Sequence, residues 1–181
     1  YEDLEEIDKW LLSKYHNLLK YVTESYNEYD LNKVVKSITN FVSEDLSNWY
    51  IRRNRNRFWG SELNNSKKAV YMTTYEVLVG LSKMIAPVIP YLSEELYRNL
   101  TGEESVHIAE YPKYNTEYIN ESLEEKMDTV RTLISIGRNV REEQRIKVRE
   151  PLSECLLNAD LNDLIGDLKD LILEELNVKK V

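Results

Sequence analysis

The chain has 181 residues, of which 42% are hydrophobic and 31% are charged, and its formal net charge is −8. This composition excludes an intrinsically disordered chain, and 5 Gly and 4 Pro are too few for a turn-rich β-sandwich. The longest uncharged apolar stretch is far shorter than the roughly 20 residues that cross a bilayer, so no membrane partner is expected. The single cysteine, Cys155, excludes an internal disulfide and a cysteine-cluster metal site. Because the first residue is Tyr1 rather than Met, we expect a fragment of a longer protein.

Two long amphipathic helices are predicted in the first third of the chain. Apolar residues recur every three or four positions over residues 4–26, and they give the first helix one apolar face: Leu4, Ile7, Leu11, Tyr15, Leu18 and Val22. Asp30 is placed to cap a second helix that should run to about Phe58. The predicted apolar face of this second helix consists of Leu31, Val34, Val35, Ile38, Phe41, Val42 and Trp49.

Helical periodicity continues through the middle of the chain. Ser66 can cap a third helix, and Pro87 and Pro90 separate it from a fourth helix around residues 92–100, because each proline disfavours a continuous helical ladder. A long connection is expected over residues 101–120.

The last part of the sequence changes character. A fifth helix is expected from Glu121 to about Arg145, and Pro151 ends this region. The hydrophobic period then changes, which predicts a short strand at 155–157, a helix over 160–173 and the start of another strand at 177–181. The expected fold is therefore mainly α: an antiparallel bundle of about five helices in residues 1–150, followed by a small, truncated α/β appendage in residues 151–181.

The most informative segment is basic and aromatic. Residues 49–60 (WYIRRNRNRFWG) carry four arginines and no acid, in a chain that is otherwise acidic. Arginine offers a planar fork of donors to phosphate oxygens, and aromatic rings stack on unpaired bases. This combination suits a single-stranded RNA loop better than a duplex, so we expect RNA and not DNA. The candidate contacts are Arg52, Arg53, Arg55, Arg57 and Trp59.

Helix geometry leaves the roles of these residues open. At about 100° per residue, Arg52 and Arg53 continue the apolar face that contains Trp49. They can therefore be presented to a partner from a projecting helix end or be buried against an acid such as Asp45. Arg55 and Arg57 point elsewhere and are the stronger candidates for RNA contact. Trp49 is predicted to be a core residue, whereas Trp59 can serve either as a packing or as a stacking group.

A second basic cluster lies near the end of the predicted fifth helix. It comprises Arg138, Arg141, Arg145, Lys147 and Arg149. The alternative to RNA contact is a solvated, salt-bridged helix face, because Glu142 and Glu143 interrupt the cluster. No nucleophile motif, phosphate-binding loop or metal-ligand spacing is recognisable, so we expect neither a catalytic centre nor a metal site in this chain.

Five sequence blocks together resemble the anticodon-binding domain of class Ia aminoacyl-tRNA synthetases, most closely the isoleucine type. They are residues 7–14 (IDKWLLSK), 45–59 (DLSNWYIRRNRNRFW), 81–97 (LSKMIAPVIPYLSEELY), 105–108 (SVHI) with 111–112 (YP), and 146–152 (IKVREPL). Glu150 departs from the glutamine usual in the family, and Asn56 stands where acids or lysine are frequent. The family's HIGH and KMSKS motifs are absent from this chain.

The resemblance implies a function that the residues alone do not reach. It implies a cytoplasmic isoleucine–tRNA ligase whose catalytic domain, with ATP and Mg, lies elsewhere in the parent chain. The present chain would bind the anticodon stem-loop of isoleucine tRNA, and residues 151–181 would begin a junction domain. The valine-type enzyme and a helical interaction domain without RNA are the alternatives.

Overall fold

The structure, a computed structural model, describes residues 4–157 and 165–180. It divides into two compact units, Tyr1–Ile119 and Asn120–Val181. Helices dominate both units, which confirms the mainly α fold. The helices of the described ranges are all too short or too polar to cross a membrane. The domain boundary that the sequence predicts after residue 150 stays a prediction.

The first unit is built from helices joined by short connections. The bounds are α1 Glu6–Asn27, α2 Leu31–Asn40, a π-helical segment Phe41–Ile51, α3 Arg55–Trp59, α4 Asn65–Ile85 and α5 Pro90–Thr101. Short 3₁₀ turns follow at Val106–Ile108 and Thr116–Tyr118. The predicted cap at Asp30 is confirmed, because its side chain accepts from the Lys33 amide. The predicted break at the two prolines is also confirmed, because α4 ends at Ile85 and Pro90 opens α5.

Helix α1 is the central element of the first unit. Its predicted apolar face is buried from Ile7 to Val22, and Trp10, Leu11 and Leu19 are completely buried. The Tyr26 hydroxyl donates to the Met84 carbonyl at the far end of α4. Helices α1 and α4 therefore run in the same direction, with the α2 and π-helical segment returning between them.

Gly80 lies directly against the Tyr15 ring, where α4 packs on α1. A Cβ atom placed on Gly80 would overlap the hydroxyl oxygen of Tyr15 and would lie only 2.5 Å from the ring carbon that carries it. The Tyr15 ring therefore occupies the space that a side chain at residue 80 would need. Burial raises the pKa of Tyr15, and the nearby charge of Glu76 raises it further.

The second predicted helix differs from the structure in its middle. Its α-helical hydrogen bonds end at Asn40, and residues Phe41–Ile51 form the wider i→i+5 turns of a π-helix. Wider turns rotate all later residues away from the positions that a continuous α-helix gives them. Val34, Ile38, Phe41 and Trp49 are buried as predicted, but Leu31, Val35 and Val42 are exposed.

The second unit contains α6 Glu121–Glu143, a 3₁₀ turn Gly166–Leu168 and α7 Lys169–Leu176. Met127, Val130 and Ile134 of α6 are buried as predicted. Gly137 lets the Leu176 side chain approach α6 closely, because a Cβ there would lie 2.5 Å from a Leu176 methyl group.

The predicted appendage is only partly represented. In the described residues its strand pairing consists of one isolated parallel bridge between Leu152 and Val178, and residues 155–157 do not form a strand. Most of the predicted helix over 160–173 is seen as the 3₁₀ turn and α7, whereas residues 160–164 lie outside the described residues. The α/β appendage stays a prediction.

Candidate nucleic-acid interface

The basic segment ends in a short helix, α3, that presents one aromatic and one cationic side chain to solvent. Trp59 is 82% exposed. Arg55 is also exposed, and within the described ranges its guanidinium group has neither a hydrogen-bond nor an ion-pair partner. An exposed indole beside an uncommitted guanidinium is suited to stacking on a base and pairing with a phosphate.

Arg57 lies on the opposite side of α3 and faces the bundle. Its two terminal nitrogens donate to the carboxylate oxygens of Asp8 at 2.8 and 2.7 Å. Its remaining N–H groups donate to Asn54 Oδ1 at 3.0 Å and to the hydroxyl and carbonyl oxygens of Ser66, both at 2.9 Å. All five donors of the guanidinium group are therefore used inside the protein.

This internal network changes the role that the sequence suggests for Arg57. With 13% of its side chain exposed, the guanidinium group has no donor left for a phosphate in this conformation. Burial lowers the pKa of Arg57, but the hydrogen bonds and charge of Asp8, with the charge of Glu5, outweigh burial and raise it. Direct contact of Arg57 with RNA stays a prediction, and it requires the network to open.

Asp8 is the centre of this network. It is completely buried in the first turn of α1 and accepts four hydrogen bonds, two from Arg57, one from the Tyr50 hydroxyl at 2.6 Å and one from the Glu5 amide at 3.0 Å. Burial raises the pKa of Tyr50, and the adjacent carboxylate of Asp8 raises it further. Because a buried carboxylate needs such partners, Asp8 ties α1, the π-helical segment and α3 together.

Arg52 and Arg53 occupy an intermediate position. Both are half-buried, and their guanidinium carbons lie 6.0 and 5.6 Å from the Trp49 ring centroid. Arg52 Nε also donates to the Asn48 carbonyl at 2.8 Å. Trp49 itself is buried, which confirms it as a core residue. Contact of Arg52 and Arg53 with RNA stays a prediction.

The far end of α3 is held by α4. Lys67 Nζ donates to the Gly60 carbonyl at 2.7 Å, and the Tyr71 hydroxyl donates to the Phe58 carbonyl at 3.2 Å. The rings of Phe58 and Tyr71 also meet edge to face, with centroids 5.3 Å apart. The carbonyls on both sides of Trp59 are thus bonded, although its side chain is exposed.

In the second unit, two members of the second basic cluster have internal partners. Arg141 is 4% exposed and donates to the carbonyls of Lys147, Glu150, Leu176 and Asn177. Arg138 forms an ion pair with Glu175. Arg141 therefore organises the turn after α6, and its contact with RNA stays a prediction that this burial does not favour.

Three cations of the same cluster are exposed: Arg145, Lys147 and Arg149. Arg145 has a left-handed backbone (φ 57°), and the amide after it donates to the Arg141 carbonyl at 2.8 Å, so it closes α6 where glycine is usual. Arg145 and Lys147 also line an open cavity of about 380 Å³. These cations are accessible to a polyanion, and their role in tRNA binding stays a prediction.

Sequence reasoning missed Asp8, Asn54 and Ser66, which complete the Arg57 network. A signal for Asp8 existed, because an acid at this position lies on the apolar face of α1, beside Leu11 and Leu12, and a buried acid needs a cationic partner. Nothing comparable marked Asn54. Ser66 was predicted as a helix cap instead, but Asn64 caps α4 in the structure, and Ser66 lies within the helix. In the described residues, acidic, histidine and cysteine side chains do not come together in a group that could hold a metal ion.

Comparisons with known proteins show the family to which the chain belongs. Residues 8–156 match the family described as the anticodon-binding domain of tRNA ligase. The chain is 43% identical over 184 residues to isoleucine–tRNA ligase of Chlamydia trachomatis serovar L2, which covers 99% of this chain and 18% of the relative. It is 42% identical to isoleucine–tRNA ligase of Clostridium novyi and 41% identical to isoleucine–tRNA ligase 2 of Bacillus cereus, each covering 97% of this chain and 17% of the relative. The chain thus spans about a fifth of the length of these curated relatives.

Proposed function

Since the chain belongs to the anticodon-binding domain family of tRNA ligases, we propose that it is the tRNA-binding module of an isoleucine–tRNA ligase. Its role is to bind the anticodon stem-loop and hold the tRNA while a catalytic domain elsewhere in the parent protein attaches isoleucine. That domain uses ATP with Mg²⁺, and no residue of this chain is assigned to either. A cytoplasmic location accords with this role.

The observation that carries the proposal is the pair of exposed side chains on α3. Arg55 supplies an uncommitted positive charge for a phosphate, and Trp59 supplies a ring face for an unstacked base. Phosphate contacts give affinity and register, whereas base contacts give sequence preference. Arg52 and Arg53, placed over Trp49, extend the positive surface along the same segment. Arg145, Lys147 and Arg149 are proposed as further phosphate contacts from the second unit.

Kinetics of the full-length ligase test this proposal. We expect Trp59→Ala to raise the KM for tRNA by about 5- to 150-fold, since loss of one stacked base costs about 1–3 kcal/mol. Arg55→Ala should also raise it. Neither variant should change isoleucine-dependent ATP–pyrophosphate exchange, because that half-reaction does not require the tRNA to be bound.

Matched controls lie on α5 of the same unit. Tyr91 is 91% exposed and Arg98 is exposed, so Tyr91→Ala and Arg98→Ala remove an aromatic and a cationic surface group away from α3. Both controls should leave the KM for tRNA unchanged. Unchanged tRNA kinetics in the Trp59 and Arg55 variants would remove α3 from the binding site.

The amino acid specificity of the parent enzyme needs a separate test, because valine-type ligases are close neighbours in sequence. We expect the full-length enzyme to charge isoleucine tRNA in preference to valine tRNA. Charging assays with the two purified tRNAs measure this preference, and the reverse preference would assign the chain to the valine type.

A further inference from the structure

We propose that Asp8 is a positioning residue for tRNA recognition: it holds Arg57 and thereby fixes the orientation of α3, with Arg55 and Trp59, without contacting RNA. The inference rests on the proposed function, which supplies α3 as the contact element. It adds a residue that lies outside the basic segment and carries the same negative charge as a phosphate, so it cannot bind a phosphate itself.

The first step of the argument is the attachment of α3 at its start. The five residues of α3 are too few to form a stable helix alone, since isolated helices shorter than about 12 residues are marginal in water. Its orientation must therefore come from tertiary contacts. The two parallel hydrogen bonds between Arg57 and Asp8, at 2.8 and 2.7 Å, fix both the distance and the plane of the guanidinium group.

Asp8 is itself held rigidly. It is completely buried, and the Tyr50 hydroxyl and the Glu5 amide occupy the carboxylate positions that Arg57 leaves free. The bond from the Glu5 amide is one half of a capping box at the start of the same helix. The carboxylate therefore fixes α3 relative to α1, the central helix of the unit.

The second step is the attachment at the end of α3. Tyr71 and Lys67 of α4 donate to the carbonyls of Phe58 and Gly60, on either side of Trp59. Trp59 is thus exposed on a backbone that is bonded before and after it. Arg55 lies on the same short helix, so both contact groups are oriented before tRNA arrives. Preorganisation of this kind lowers the entropy cost of binding.

The experiment measures how the Asp8 link and the α3 contacts combine in the full-length ligase. Asp8→Asn replaces one acceptor oxygen by an amide that cannot accept from Arg57. We expect it to raise the KM for tRNA by about 10- to 100-fold, because a misplacement of about 1 Å can cost about 100-fold. Amino acid activation should not change. Because the loss acts through α3, the increase in the KM for tRNA in the double variant Asp8→Asn with Trp59→Ala should be smaller than the product of the two single increases.

If Asp8 had a purely structural role, its loss would lower stability without a specific effect on tRNA binding. Gly80→Ala is the control for such a loss: it disturbs the α1–α4 contact away from α3, and it should lower the melting temperature without raising the KM for tRNA. Since Asp8 variants can also lose stability, Tyr71→Phe is the second test. It removes one surface hydrogen bond to α3 and should raise the KM for tRNA several-fold at an unchanged melting temperature.

The two proposals fail in different ways. If Trp59→Ala raises the KM for tRNA but both Asp8→Asn and Tyr71→Phe leave it unchanged, the positioning role is wrong and the proposed function stands. Fully multiplicative effects of Asp8→Asn and Trp59→Ala also overturn the positioning role. If Trp59→Ala and Arg55→Ala are both without effect, the proposed function fails first.

Discussion

Two tryptophans in the same helical region occupy opposite environments. Trp49 is buried beneath Arg52 and Arg53, whereas Trp59 is almost fully exposed beside Gly60. Burying an aromatic side chain is worth about 1.5–3 kcal/mol, so a partner that covered Trp59 would gain this free energy. The contrast assigns packing to one ring and leaves the other available for recognition.

His16 gives the first unit a pH-dependent stability. Its Nδ1 accepts from the Asn115 amide at 3.2 Å, its ring stacks on Tyr118, and its Nε2 lies 3.9 Å from a carboxylate oxygen of Glu76. Burial lowers the pKa of His16 below its usual 6.5. As the pH falls through that value, the unfolded chain binds a proton that the folded chain does not, so the free energy of unfolding decreases.

We therefore expect stability to fall as the pH decreases through about 6.5, the ordinary pKa of histidine, and His16→Gln to lose this part of the pH dependence. Glutamine keeps an oxygen that can accept from Asn115. Urea unfolding at several pH values measures the effect. Glu76, whose pKa burial raises, contributes with the opposite sign but is present in both proteins. His107→Gln, at an exposed site, should retain the wild-type pH slope, and an equal loss of slope in both variants would contradict the assignment to His16.

At the scale of the elements, the packing of α4 against Tyr15 of α1 requires a residue without a side chain at position 80. Gly80→Ala would bring a methyl group into the Tyr15 ring, and overpacking of this kind costs about 1–3 kcal/mol. The gain of about 1 kcal/mol in helix propensity offsets part of this cost. We expect a lower free energy of unfolding, measured by urea denaturation.

Gly137→Ala in α6 is the comparison for Gly80→Ala. The neighbouring atoms there are the methyl groups of Leu176, which can rotate away, so the loss should be smaller. A Gly80→Ala protein as stable as the wild type would show that α1 and α4 can separate without cost.

For the molecule as a whole, the local distribution of charge bears on tRNA binding more than the net charge does. The chain is acidic, with a formal net charge of −8, yet α3 offers a local positive surface. Binding of tRNA by the full-length ligase should weaken steeply with salt, because each neutralised phosphate releases counterions. We expect Arg55→Ala to reduce the slope of log K against log salt by about 0.7 to 1.

Trp59→Ala is the matched control for this salt effect. It removes stacking rather than charge, so it should weaken binding while leaving the slope unchanged. Filter binding over a series of salt concentrations measures both quantities. An identical slope in wild type and Arg55→Ala would exclude a phosphate contact at Arg55.

Much of the helical organisation can be predicted from the sequence. Strong apolar periodicity predicted α1, α4 and α6, and proline chemistry predicted the break before α5. The side of the helix on which Arg57 lies cannot be predicted, because apolar periodicity does not reveal the π-helical turns of residues 41–51. The partners of Arg57 were likewise hidden, because Asp8 and Ser66 are distant from it in sequence.

The π-helical segment also constrains how this protein can tolerate insertions and deletions. The angular setting of α3 depends on that stretch, which directly precedes it. Loss of one residue there would turn α3 by about 100° unless the backbone compensated elsewhere. Substitutions in this stretch can be absorbed locally, but a change in its length would redirect Trp59 and separate Arg57 from Asp8.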